Sequence, residues 1–173
     1  MEKIMAFYES MLGIDLKNLH HPISHLISLA KKATGIEEKQ IKHKLRIIGL
    51  ALLDIKDYDQ NIYNFYVKKT VNNADFSVHG WIFEIIQCAN LIKTTQDNKM
   101  QFIFGDSNKK EPDFIIDDCG IEITSIRFPV KKEKNNADSK LLNKFREKNG
   151  KDYANSNSLL LIEITQTLHF ANQ

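Results

Sequence analysis

Asp113 and Glu122 are the side chains whose types and spacing carry the most chemistry. They stand nine residues apart, in Glu111-Pro112-Asp113-Phe114 and Gly120-Ile121-Glu122-Ile123-Thr124-Ser125. Short β-branched and aromatic runs flank the turn-forming segment Asp117 to Gly120. This pattern predicts a hairpin, with Asp113 opening one strand and Glu122 inside the next. The strand period of two then puts Glu122 and Thr124 on one face, with Ile121 and Ile123 on the other. Two acids converging from adjacent strands, with the Ile123 carbonyl beside them, offer the oxygen donors that Mg²⁺ or Mn²⁺ takes. Magnesium keeps several of its own waters, so few protein ligands suffice. A carboxylate in a half-buried strand needs a partner or a metal. The other reading of Glu122 is an acid facing solvent on the open side of the hairpin, and the residues alone leave both standing.

Glu84 is the third acid of interest. On a helical wheel it falls beside Trp81, Cys88 and Leu91, at the edge of an apolar stripe. There it either snorkels at a boundary or reaches inward for a purpose. Further on, Lys140, Lys144 and Lys148 recur every four residues and share one helix face. They form either a solvated stripe opposite Leu141, Leu142 and Phe145 or a surface that binds nucleic-acid phosphates.

Hydrophobic period dictates the elements that must hold these residues. Helical spacing runs from Met1 to about Lys17, with Ile4, Met5, Tyr8, Met11 and Leu12, and breaks at His20-His21-Pro22. A second helix starts near Pro22. Thr34 and Glu37 have capping-box spacing, and Ile41, Leu45, Ile48, Leu52 and Ile55 continue as one stripe with Gly49 inside it. Tyr58 to Val71 is a further helix, and another begins at Ser77. After Asp97-Asn98 the period becomes extended. Strands are predicted at Met100 to Phe104, Pro112 to Ile116 and Ile121 to Phe128. Lys131 to Asp138 reads as a polar, mobile connection. A helix follows from Ser139 to Asn149, stopped by Gly150. The run Leu159 to Ile164 lies in a last strand, Ser158 to Thr165, and its unbroken apolarity suits a central strand buried on both faces. Residues 1–75 thus form a helical region packed with the core, and 76–173 form an α/β core of order αβββαβ.

These residues together resemble the PD-(D/E)xK nuclease superfamily, the fold of many restriction endonucleases. The literal Pro112-Asp113 pair is present, Glu122 stands where the second half-motif has its acid, and the helix carrying Glu84 looks like the superfamily's opening helix. The resemblance covers about Ser77 to Thr165. It implies a restriction-endonuclease-like αβββαβ core and metal-dependent hydrolysis of phosphodiester bonds in nucleic acid, DNA favoured. It implies Mg²⁺, with Mn²⁺ as a substitute, held by Asp113, Glu122, the Ile123 carbonyl and Glu84. One position departs from the pattern. The superfamily's lysine sits two residues after the acid, where this chain has Thr124, which can hydrogen-bond a water or phosphate but carries no charge. Some members supply that lysine from the following helix, and Lys144 is the residue favoured for it here. The competing implication is a nuclease-like module that binds nucleic acid or protein without hydrolysing anything. A homodimer that completes the site is one assembly the sequence allows.

Charge and composition narrow the classes. The net charge is only +2, yet Pro129 to Lys151 holds eight Lys or Arg against three acids, while Phe76 to Phe128 holds five against eight. A basic segment follows an acidic one, which suits a metal site beside a phosphate-binding surface or, equally, a solvated lysine-rich helix. Arg46, Arg127 and Arg146 are the only arginines. Lysine supplies point charge rather than bidentate base reading, so contact along the backbone is the expectation. Cys88 and Cys119 form no CxxC pair, which argues against a zinc-thiolate site and for free thiols in a reducing, cytoplasmic setting. No run of about 18 apolar residues predicts a membrane span. His21 and His25 have the spacing of helical metal ligands but lack an HExxH context. Tyr58, Tyr63 and Tyr66 read as helical core rather than a base-stacking platform.

Overall fold

Repeating apolar positions close into five helices in the first part of the chain. In a computed structural model, which describes residues 1–17, 21–72, 78–106, 109–126, 137–152, 154 and 157–163, these are α1 (Glu2–Leu12), α2 (Pro22–Lys32), α3 (Gly35–Tyr58), α4 (Gln60–Asn72) and α5 (Val78–Asn98). The chain divides into two units, Met1–Lys93 and Thr94–Gln173, with the boundary inside α5. His20, residues 127–136 and 164–165, and the side chain of His79 lie outside what is described. Among the described residues no helix is long and apolar enough to cross a membrane.

The helical unit buries the predicted stripe of α3, with Leu45, Ile48, Leu52 and Ile55 at 2% exposure or less. Tyrosine hydroxyls tie the helices together. Tyr8 donates to the Leu45 carbonyl, and Tyr63 donates to the Met11 carbonyl. α1 ends at Gly13, whose φ of 67° is a left-handed cap conformation that favours glycine. His21 is structural. As the N-cap of α2, its Nδ1 accepts the Ile23 N–H at 3.2 Å, and its Nε2 donates to the Thr70 carbonyl at 3.1 Å. Burial holds its pKa below the usual histidine value. Thr34 does precede α3, but its hydroxyl makes no capping bond.

The second unit contains a four-stranded mixed sheet in the order β1 (Phe102–Phe104), β2 (Phe114–Ile116), β3 (Cys119–Ser125) and β4 (Ser158–Glu163). β1, β2 and β3 form an antiparallel meander. β4 runs parallel to β3 after the crossover helix α6 (Ala137–Asn149). Phe114 is fully buried between Phe102 and Phe104, with ring centroids 5.7 and 5.8 Å away. The hairpin turn is tighter than the sequence suggested. Ile116 pairs with Cys119, so Asp117 and Asp118 alone form it. Asp117 takes a φ of 51°, and its side chain accepts the Gln101 N–H at 2.9 Å. β4 also differs from the expectation of a central, doubly buried strand. It stands last in the sheet order, and Leu159 is 48% exposed. An apolar run signals a strand but not its position in the sheet.

Candidate active site

The β2–β3 register pairs Phe114 with Ile121 and Ile115 with Gly120. One further step sets Asp113 opposite Glu122. Residues opposite one another in an antiparallel pair share a face. Phe114, Ile116, Ile121 and Ile123 therefore fill one face, while Asp113, Glu122 and Thr124 belong to the other.

Asp113 is fixed from both sides. Its carboxylate accepts the Ile123 backbone N–H at 2.6 Å, and its carbonyl accepts the Gly105 N–H at 3.0 Å. Gly105 is where the chain passes closest to this segment: a Cβ there would stand 1.8 Å from the Pro112 carbonyl oxygen. Burial pushes the Asp113 carboxyl up to about 6. The Ile123 N–H and the charges of Lys148 and Lys151 oppose that rise, and the Glu122 charge adds to it.

Glu122 is 6% exposed, so the solvent-facing reading does not hold. Lys148, from the last turn of α6, donates to its Oε1. Lys151, just beyond the helix, donates to the same oxygen at 2.6 Å. Burial works against the Lys151 ammonium, but the bond to Glu122 and the nearby Asp113 charge hold its pKa above lysine's ordinary value. A cavity of about 270 Å³ opens beside these groups, bounded by Glu122, Lys148, Asn149, Phe145, Ser158 and Leu160. Two carboxylates and two ammonium groups thus meet under α6.

The other predicted residues fall as follows. Thr124 is half-buried in β3, one strand repeat beyond Glu122, and pairs in register with Ile162. Lys144 bonds to Glu147 of its own helix, at 3.0 and 2.9 Å to its two oxygens. Of the lysine stripe, Lys148 is the one seen on Glu122, and Lys140 is half-buried one turn before Lys144. Glu84 accepts a hydrogen bond from the Tyr66 hydroxyl at 3.1 Å within the helical unit. Tyr66 also bonds Cys88, whose thiol burial pushes up to about 12. Among the described residues, no three His, Cys, Asp or Glu side chains gather in a group able to hold a metal. Lys151 escaped the sequence reading because it lies outside the four-residue period. The available signal was Gly150, which ends α6 and turns the chain there.

Compared with known proteins, the chain matches no family model, no curated protein and no solved structure.

Proposed function

We propose that this chain is a metal-dependent nuclease of the PD-(D/E)xK type, hydrolysing phosphodiester bonds of nucleic acid, DNA ahead of RNA. The observation that carries the reading is the pair of half-buried Asp113 and buried Glu122, side by side across a hairpin, with Lys148 reaching Glu122 from the crossover helix.

The donor set fits magnesium. It is all oxygen and includes two carboxylates, and this ion needs few protein ligands because it retains water. Asp113, Glu122 and the Ile123 carbonyl would hold it. Bound there, the ion would lower the pKa of a water and neutralise charge on the scissile phosphate. The chain's own residues do the rest. The Ile123 N–H orients the Asp113 carboxylate. Lys148 keeps Glu122 compensated until substrate arrives, and then offers its ammonium to the charge that develops on phosphate. Thr124 hydrogen-bonds where the superfamily's lysine would stand. Lys148 takes that lysine's place in this proposal, and Lys144 does not.

The test uses plasmid, single-stranded DNA and RNA with Mg²⁺ or Mn²⁺, and EDTA as control. Wild type should cleave. Asp113→Ala, Glu122→Ala and Lys148→Ala should each lose about 10²–10³-fold, the scale of removing one preorganised electrostatic group. Lys144→Ala should cleave as wild type. Wild-type rates in the two carboxylate variants would sink the proposal.

A second reading is favoured by one observation. Glu122 already meets two ammonium groups, which brings the four charges of Asp113, Glu122, Lys148 and Lys151 to zero. A site neutral in this way suits a nuclease-like module that binds nucleic acid without cutting it. Retained binding with no cleavage of any substrate would select that reading.

A further inference from the structure

We propose that the helical unit binds a small anionic amphiphile, a carboxylate carried on an apolar chain, in a cavity between α1 and α3. The cavity measures about 470 Å³ and lies within the range of small-molecule sites, about 300–1,000 Å³. Phe7, Leu50 and Leu53 are among its apolar walls, and Lys3, Lys42 and Arg46 stand with them in the lining. The order along α3 matters. Lys42 and Arg46 come first, and Leu50 and Leu53 follow about one to three turns on from them. A charged end and an apolar end are thus built into one helix face, as a head and a tail require.

The polar atoms at the site narrow the ligand further. The Tyr8 hydroxyl is committed to the Leu45 carbonyl, so recognition of a polar head falls to the cations. Lys42 pairs with Glu38 at 2.5 Å. Three cations against that one carboxylate leave the lining positive, which selects an anion over a cation. Gly49 shapes the floor. Glycine inside a helix is less favourable than alanine, yet a Cβ here would lie 2.9 Å from the Phe7 ring and 3.4 Å from the Tyr8 oxygen. Its absence lets α1 bring both rings close to α3. Leu50, 47% exposed, is apolar surface that a bound chain would cover. This site is separate from the Asp113 and Glu122 proposal and does not rest on it.

The probe is dodecanoate below its micellar concentration, titrated calorimetrically into the full chain. Dodecyltrimethylammonium, which carries the same tail with the opposite charge, is the comparison, and vesicles containing phosphatidylglycerol test a bilayer as the source of the anion. Arg46→Glu and Leu50→Glu change exposed positions, and melting followed by circular dichroism checks that both remain folded. Dodecanoate should bind saturably at one site, with at least tenfold weaker affinity in either variant. The cationic probe should bind at least tenfold more weakly to wild type. Absence of saturable binding, equal affinity for the two probes, affinity unchanged in both variants, or response to vesicles alone would each overturn the proposal.

Discussion

A carboxylate at 6% exposure, set between isoleucines in a strand, is tolerated only when its charge is met. Lys148 and Lys151 meet that of Glu122 together, so losing one leaves it partly compensated. Lys148→Ala should therefore destabilise the fold by about 3 kcal/mol, the low end of breaking a buried pair. Lys144→Ala should cost about 0.5 kcal/mol or less, because its partner Glu147 lies on the helix surface. Urea denaturation distinguishes the two, and equal losses would remove Lys148 from the site. Asp113 gives a pH signature. Its folded pKa is raised from 3.8 to about 6, so the metal-free fold holds its proton more tightly than the unfolded chain does. The stability this contributes is fully present below pH 3.8 and is lost as pH rises through about 6. The proposed magnesium site needs the ionised form, so under that proposal Mg²⁺ affinity should instead weaken as pH falls through about 6. Both trends should vanish in Asp113→Asn, compared by urea unfolding and by Mg²⁺ titration between pH 4 and 8. The two acids were legible because a hairpin fixes which residues face each other. The lysine was legible only as a stripe, since periodicity gives the face of α6 but not which of its turns lies over Glu122.

Strand β1 and the segment before β2 show what an element must do to present Asp113. Beyond Phe104 the chain passes so close to the Pro112 carbonyl that no side chain fits, and the Gly105 N–H continues the ladder onto Asp113. Gly105→Ala should force these strands apart, costing about 1–3 kcal/mol as overpacking does. It should also weaken Mg²⁺ binding without touching a proposed ligand. Denaturant unfolding and metal titration of the same variant check this, and an unperturbed protein would show that the approach is not needed. Most elements were legible from period alone: the stripe of α3, the hairpin, and α6 with its Gly150 stop. Two features were not. The hairpin turn is shorter than its polar segment, because Cys119 and Gly120 still pair with β2. β4 is as apolar as a central strand but stands last in the sheet order, since strand order depends on the crossover and not on local composition.

Across the whole chain the charge is nearly balanced, at +2, but it is unevenly spread: the segment carrying α6 holds eight basic residues against three acidic ones. Nearly all of that charge is lysine, which attracts phosphates without reading bases. Under the proposed function, nucleic-acid affinity should therefore depend strongly on salt and little on sequence. For duplex DNA, log K should fall linearly with log salt, by about 0.9 per phosphate contacted. Lys140 lies on the α6 stripe but is not among the residues proposed for the chemistry. Lys140→Ala should lower the slope by about one and weaken unrelated sequences equally, while the cleavage rate at saturating DNA stays as in wild type. Lys148→Ala should do the reverse, reducing cleavage at saturation far more than binding. Fluorescence anisotropy across a salt series, paired with single-turnover cleavage, separates the two roles. An unchanged slope in Lys140→Ala would move the phosphate-binding surface off this helix, and a sequence-dependent loss would mean that lysine reads bases after all.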